Sequence, residues 1–160
     1  MKSSTLVSFL PLLVLLVSGC GGDGVPNPFS GSQWDIGMRH VGFSHNVAEW
    51  DTTHDRLVLK FELISGTKYP SAQVIVEGVS YLHAGETRDV PVTVSIGEGV
   101  TYECDPSDPD ANATIVFSRF DLAVYGAVSG EITGMARHVE DPDVQPVPLN
   151  ADFNDVVVIT

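Results

Sequence analysis

The sequence predicts an all-β fold, a single β-sandwich or partly open barrel formed by residues 34–160. Three observations lead there. Apolar residues recur at every second position through most of this segment, as in strands with one face to a core and one to water. Clusters of Gly, Pro, Asp and Asn break the alternation at short intervals, which marks turns. No stretch after residue 33 carries the 3.6-residue period of an amphipathic helix.

Taken in order, Trp34, Ile36 and Met38 alternate with Asp35, Gly37 and Arg39. Residues 47–50 and 57–63 read as partner strands around a turn at 51–55, with Leu57, Leu59, Phe61 and Leu63 on one face. Residues 73–82 form a third β-rich run, and 83–89 turn the chain. Val90, Val92, Val94 and Ile96 then share a face. Pro91 cannot donate to a ladder, so it belongs at a strand start or an edge. Gly97-Glu98-Gly99 leads by a hairpin into 100–104, where Val100, Tyr102 and Cys104 share a face. Residues 105–112 are a Pro/Asp loop; 114–120, 122–129 and 131–138 read as strands; 139–146 is an acidic, Pro-containing loop. Val147, Leu149, Ala151 and Phe153 alternate again, and 156–159 is the last strand. Leu59, Phe61, Val92, Val94, Ile115 and Phe117 are the expected core.

The N-terminus reads differently. Lys2 precedes an apolar run at 6–17, interrupted only by Ser8 and Pro11. A membrane-spanning helix needs about 20 apolar residues, so the run is too short to span and is read as a secretory signal. It ends in Val17-Ser18-Gly19-Cys20, an aliphatic residue, two small residues and a cysteine. This resembles the lipobox of bacterial lipoproteins. The resemblance implies cleavage before Cys20, a diacylglycerol on its sulfur, and a durable membrane anchor, since each buried CH₂ adds about 0.8 kcal/mol. Gly21, where an Asp favours inner-membrane retention in such proteins, resembles an outer-membrane address. The expected organisation is a signal peptide at 1–19, a lipidated cysteine and tether at 20–33, and the β domain at 34–160. The Gly-, Pro- and Ser-rich 21–32 would average about 20 Å end to end as a flexible linker.

The chain has 8 Lys and Arg against 21 Asp and Glu, a net charge of −13, and loss of Lys2 with the signal makes it more acidic. Such a surface repels phosphate backbones, which argues against a nucleic-acid partner. It repels anionic lipid as well, so attachment rests on the lipid. With Cys20 lipidated, Cys104 has no intramolecular partner; it is free or pairs with another chain. Glu103 and Asp105 flank it and disfavour a thiolate, so it reads as a small strand residue.

The acidic loop is the one stretch with ligand-like spacing. Asp108, Asp110 and Asn112 have the one-three-five oxygen pattern of a calcium loop, and Asp105 adds a fourth oxygen group. Ala113 stands where an EF-hand has its glycine and Arg119 where it has its bidentate Glu. The plain alternative is a Pro/Asp turn. His40, His45, His54, His83 and His138 include no HExxH or His-x-His spacing. Glu49-Trp50-Asp51 offers a sugar platform if Trp50 is exposed and a core tryptophan if it is not. No nucleophile elbow or phosphate-binding glycine loop is present, and Asn112-Ala113-Thr114 is a chance glycosylation sequon. The expectation is therefore a non-enzymatic envelope lipoprotein that meets a protein or glycan partner, with a carbohydrate- or calcium-binding module as the alternative.

Finally, Ile115-Val116-Phe117-Ser118-Arg119-Phe120-Asp121, Val128-Ser129-Gly130-Glu131-Ile132-Thr133-Gly134 and Phe153-Asn154-Asp155-Val156 form a pattern of their own. It is similar to the C-terminal half of small β-rich bacterial lipoproteins of uncharacterised function. That resemblance implies the same fold and brings no catalytic residue.

Overall fold

The computed structural model describes residues 31–160 except 65 and 67; the signal, Cys20 and residues 21–30 lie outside the described residues. Strand β4 (Arg56–Glu62) shows how sequence becomes structure. Leu57, Leu59 and Phe61 are fully buried, while Lys60 and Glu62 reach water. Its antiparallel neighbours β3 (His45–Asp51) and β5 (Ser71–Glu77) continue those rows, so Ala48, Leu59 and Val74 line up across the inner face. All six expected core residues are buried.

Strands β1 (Ser32–Ile36) and β2 (Arg39–Phe43) form a hairpin with Gly37 and Met38 at its tip. Gly37 takes φ 60°, a conformation that costs glycine little. Met38 is 98% exposed and leaves the inner set that its spacing suggested, because the alternation ends where the hairpin turns. Leu63 likewise lies past the end of β4 and is 43% exposed. β1 takes in Ser32 and Gln33, which the sequence placed in the tether; Ser32 is buried and donates to Asn46 Oδ1 at 3.4 Å.

After β5 the chain makes one 3-10 turn (Val79–Tyr81), so the third β-rich run stops at Glu77. Pro91 separates β6 (Thr87–Val90) from β7 (Val92–Gly97), where its missing N–H breaks no ladder. Val90 pairs with Ala113, whereas Val92 pairs with Val74 and Cys104. The chain thus changes layers at Pro91. β8 (Val100–Cys104) and β9 (Ala113–Phe120) follow.

Beyond residue 120 the strands are longer than their alternation suggested. Residues 121–126 are loop, and the two strands expected at 122–129 and 131–138 are replaced by β10 (Ala127–His138). The runs at 147–153 and 156–159 merge into β11 (Val147–Ile159). Bulges explain the hidden continuity. Val128 pairs with Val156 and Gly130 with Phe153, so Asn154 and Asp155 oppose Ser129 alone. On the other side Ser129 pairs with Arg119 and Gly130 with Phe117, leaving Ser118 as the extra residue. The bulges share one line, and such irregularities bend and twist strands. Asp155 N–H donates to Ser129 Oγ at 2.9 Å, and Arg119 Nη1 meets Asp155 Oδ1 at 2.9 Å. Gly130 is required by space: a Cβ there would overlap the Val116 carbonyl and press on the Phe153 ring.

The eleven strands form one mixed sheet in the order β2-β1-β11-β3-β4-β5-β7-β8-β10-β9-β6, with β10 also paired to β11. That extra pairing closes seven strands into a ring. β11 lies beside β1 through 149–152 and beside β3, in parallel, through 157–159. β10 lies beside β9 and then meets β8 through Arg137 and His138. Two faces pack across the interior as in a sandwich. Trp34 of β1 meets Phe61 of β4 at 5.0 Å between ring centroids, and Phe61 meets Phe153 of β11 at 5.9 Å, although β4 is hydrogen-bonded to neither β1 nor β11. The described residues form a single all-β domain.

Candidate functional site

The acidic loop packs against the end of β10. Asp105 Oδ1 accepts from the Ser107 N–H and hydroxyl, each at 2.8 Å, and Asp105 O accepts from Asp108 N–H at 2.9 Å. Asp108 Oδ1 accepts from Asp110 N–H at 2.9 Å. The Arg137 guanidinium grips the same carboxylate, with Nε donating to Oδ2 at 3.0 Å and Nη2 to Oδ1 at 3.3 Å. Asn112 turns its amide nitrogen into the loop and donates to the Asp108 and Pro109 carbonyls at 3.0 and 3.2 Å.

These contacts set the electrostatics. The Ser107 backbone N–H, followed by its hydroxyl, holds Asp105 below the ordinary carboxylate range. The Asp110 N–H does the same for Asp108, reinforced by Arg137 against the opposing effect of desolvation. Asp108, the middle of the proposed calcium set, already has a cation. Calcium takes six to eight oxygens, and here Asp108 faces a guanidinium while Asn112 presents N–H groups to the loop. Among the described residues no group of three or more His, Cys, Asp or Glu is placed to hold a metal ion. Open concavities of about 430 and 280 Å³ flank Arg137, with Pro142 common to both.

The histidines are spread over the fold. His40 on β2 bonds Asp35, and His54 Nδ1 meets Asp51 Oδ2 at 2.7 Å. His138 Nδ1 accepts from Asp141 N–H at 3.0 Å, and its ring meets Tyr102 edge-on at 5.1 Å. His45 opens β3 and His83 follows the 3-10 turn.

Alternation along β3 separates the proposed sugar platform. Trp50 lies opposite Leu57 on the core-facing side and packs against the core, half-buried. Glu49 and Asp51 point the other way, to Lys60 at 2.6 Å and to His54 and Arg56. The buried indole N–H groups of Trp34 and Trp50 have no hydrogen-bond partner among the described residues. Cys104 is buried and unbridged, and burial, with Glu103 adding to it, pushes its thiol up to about 12.

A concavity of about 650 Å³ lies where the described chain begins. Gly31, Ser32, Gln33, Gly42, Phe43, Ser44, Leu63, Asp152 and Asn154 line it. Ser44 Oγ donates to the Leu63 carbonyl, tying the β2–β3 bend to the end of β4. Sequence reasoning did not single out Arg137 or this corner. The signal for Arg137 was available in principle, since a cation in a strand of so acidic a chain has many carboxylates to meet. No family model, curated protein or solved structure matches the chain.

Proposed function

We propose that this protein is a lipid-anchored component of the bacterial envelope, with a non-enzymatic β domain that presents a binding or assembly surface at the outer membrane. The observation that carries the reading is Val17-Ser18-Gly19-Cys20 at the end of a short apolar run. The fold supports it: an all-β domain begins at Ser32, shortly after the lipid-bearing position. Its acidic surface suits a protein or glycan partner better than a nucleic acid. The calcium and sugar readings gain no support from an Asp108 bound to Arg137 or a Trp50 turned inward.

Mass spectrometry of protein purified from membranes tests the anchor. The expected species starts at Cys20 and carries the mass of the lipid; an intact precursor with a free Cys20 thiol would overturn it. Cys20→Ala is expected to leave the domain folded and move it out of the membrane fraction. Crosslinking in intact cells, followed by pulldown, identifies the partner.

A further inference from the structure

The Pro-containing loop at 139–146 hangs from the end of β10 by an imidazole. His138, the last residue of β10, lies opposite Tyr102 of β8 in the ladder. Its Nδ1 accepts from the Asp141 N–H at 3.0 Å, and the Val144 N–H donates to the Asp141 carbonyl at 3.2 Å, so the turn at 141–144 is built on the ring. Pro142 of that turn lines both concavities beside Arg137, and Val144 lines one of them. We infer that His138 is a pH-sensitive latch, which holds the 141–144 turn beside Arg137 when neutral and releases it when protonated.

The chemistry is a count of donors and acceptors. A neutral imidazole has one ring nitrogen that accepts; an imidazolium has two N–H donors and no acceptor. With Nδ1 on a backbone N–H, the neutral ring carries its proton on Nε2. A proton added to Nδ1 faces the Asp141 N–H, and two donors cannot share that contact. Another partner stands close by: Glu140 Oε2 is 3.6 Å from Nδ1. A charge-assisted bond is about twice as strong as a neutral one, so the charged ring leaves Asp141 for Glu140. Glu140 is already fixed, because its Oε2 accepts from the Thr101 N–H at 3.0 Å. The Val139 N–H donates to the Thr101 carbonyl at 2.9 Å, so residues 139 and 140 stay on β8 and release begins at 141.

The groups around the ring isolate this event. Tyr102 and Glu103 face it from β8, Arg137 precedes it on β10, Glu140 and Asp141 follow it, and Asp105 and Asp108 line the same concavity from the loop before β9. Arg137 is engaged by Asp108, so a new cation on His138 faces mainly carboxylates. The Thr101 N–H holds Glu140 below the ordinary carboxylate range, as the Ser107 N–H does Asp105 and the Asp110 N–H does Asp108. These three stay charged over the range in which an imidazole ordinarily titrates, about pH 5 to 8. The turn is therefore held at the upper end of that range and lost toward the lower end.

The test is nuclear magnetic resonance of the full chain, labelled with nitrogen-15 and held in detergent, at about pH 8 and about pH 5. A nitrogen–nitrogen coupling across the Asp141 N–H and His138 Nδ1 is expected at the higher pH and is expected to vanish at the lower. The backbone order parameter of Val144 should fall with it, from about 0.85 to below about 0.6. His138→Asn puts an oxygen that cannot be protonated near the place of Nδ1, and is expected to keep Val144 ordered at both pH values. Glu140→Gln removes the carboxylate that receives the charged ring, and is expected to move the midpoint of the change to lower pH. A coupling absent at the higher pH, or one that persists at the lower, overturns the inference. So does a Val144 order parameter that is the same at both, or one that falls as far in His138→Asn as in the native chain. Both native readouts decide the matter even where His138→Asn does not fold.

Discussion

Strands β4 and β11 are built from the same kinds of residue and solve different problems. β4 is seven residues long, keeps one phase throughout, and lies between β3 and β5. β11 is thirteen residues long and changes phase: Leu149, Ala151 and Phe153 point inward, then Val156 and Val158 do. The shift at Asn154 and Asp155 gives β11 three partners, β1, β10 and β3. Unbroken alternation makes a wall of the core; alternation with one bulge makes a corner that joins two walls.

Removing the bulge should have the largest effect. Deleting Asp155 restores unbroken alternation but takes away the bend that carries β11 from β1 to β3. The expected outcome is loss of the cooperative melt, read by circular dichroism; a deletion variant that melts as the native protein does would mean the corner does not depend on the bulge. Truncation comes next. Phe61→Ala and Phe153→Ala should each cost about 3–5 kcal/mol in denaturant unfolding, because each ring touches aromatic neighbours across the core. Equal costs in the straight and bent strands would show that the bend is as well packed as the wall. Gly130→Ala should cost about 1–3 kcal/mol, since the Val116 carbonyl and Phe153 ring must both move. An unchanged denaturation midpoint would mean that the neighbouring strands yield easily.

The acidic loop gives smaller effects. Asp105 and Asp108 are held below their ordinary range, so their contribution is complete above the unfolded carboxylate value, about 3.9, and is lost as pH falls through the folded values. Protection of the Asp108 and Asp110 amides, taken relative to their intrinsic exchange rates at each pH, should therefore fall in acid, and Asp108→Asn should flatten that dependence. Protection that does not change with acidification would show that the loop does not need its charges. The smallest expectation concerns calcium: thermal midpoints in calcium, in magnesium at equal ionic strength and in chelator should coincide. A rise in calcium alone, lost in Asp108→Ala with Asp110→Ala, would mean that the ion displaces Arg137.

Legibility followed the same division. Positions such as Leu59, Phe61, Val92 and Ile115 were readable because alternation is local and burial follows from it. Met38 was misplaced because the period continues into a hairpin tip whose side chains have no core to face. The long strands were read as pairs because a bulge is indistinguishable from a turn until the partner strand shows which residue is extra. Asp105, Asp108, Asp110 and Asn112 were recognised as one loop, yet the residue that meets Asp108 is Arg137. Nothing local to the loop announces a cation from β10. Cys20 lies outside the described residues and rests on its sequence alone.

The parallel pairing of β11 with β3 also imposes an order of events. Val47 has its β4 partner, Lys60, soon after synthesis, but its other neighbour, Val157, belongs to β11. Until residues 157–159 arrive, β3 is a bare edge and the ring is open. Such distant closure is slow, since the intervening chain must be confined before the contact rewards it. A nascent chain that has reached β9 can hold the β3–β4–β5 meander but not the finished domain. It would lock only when β11 is laid between its partners.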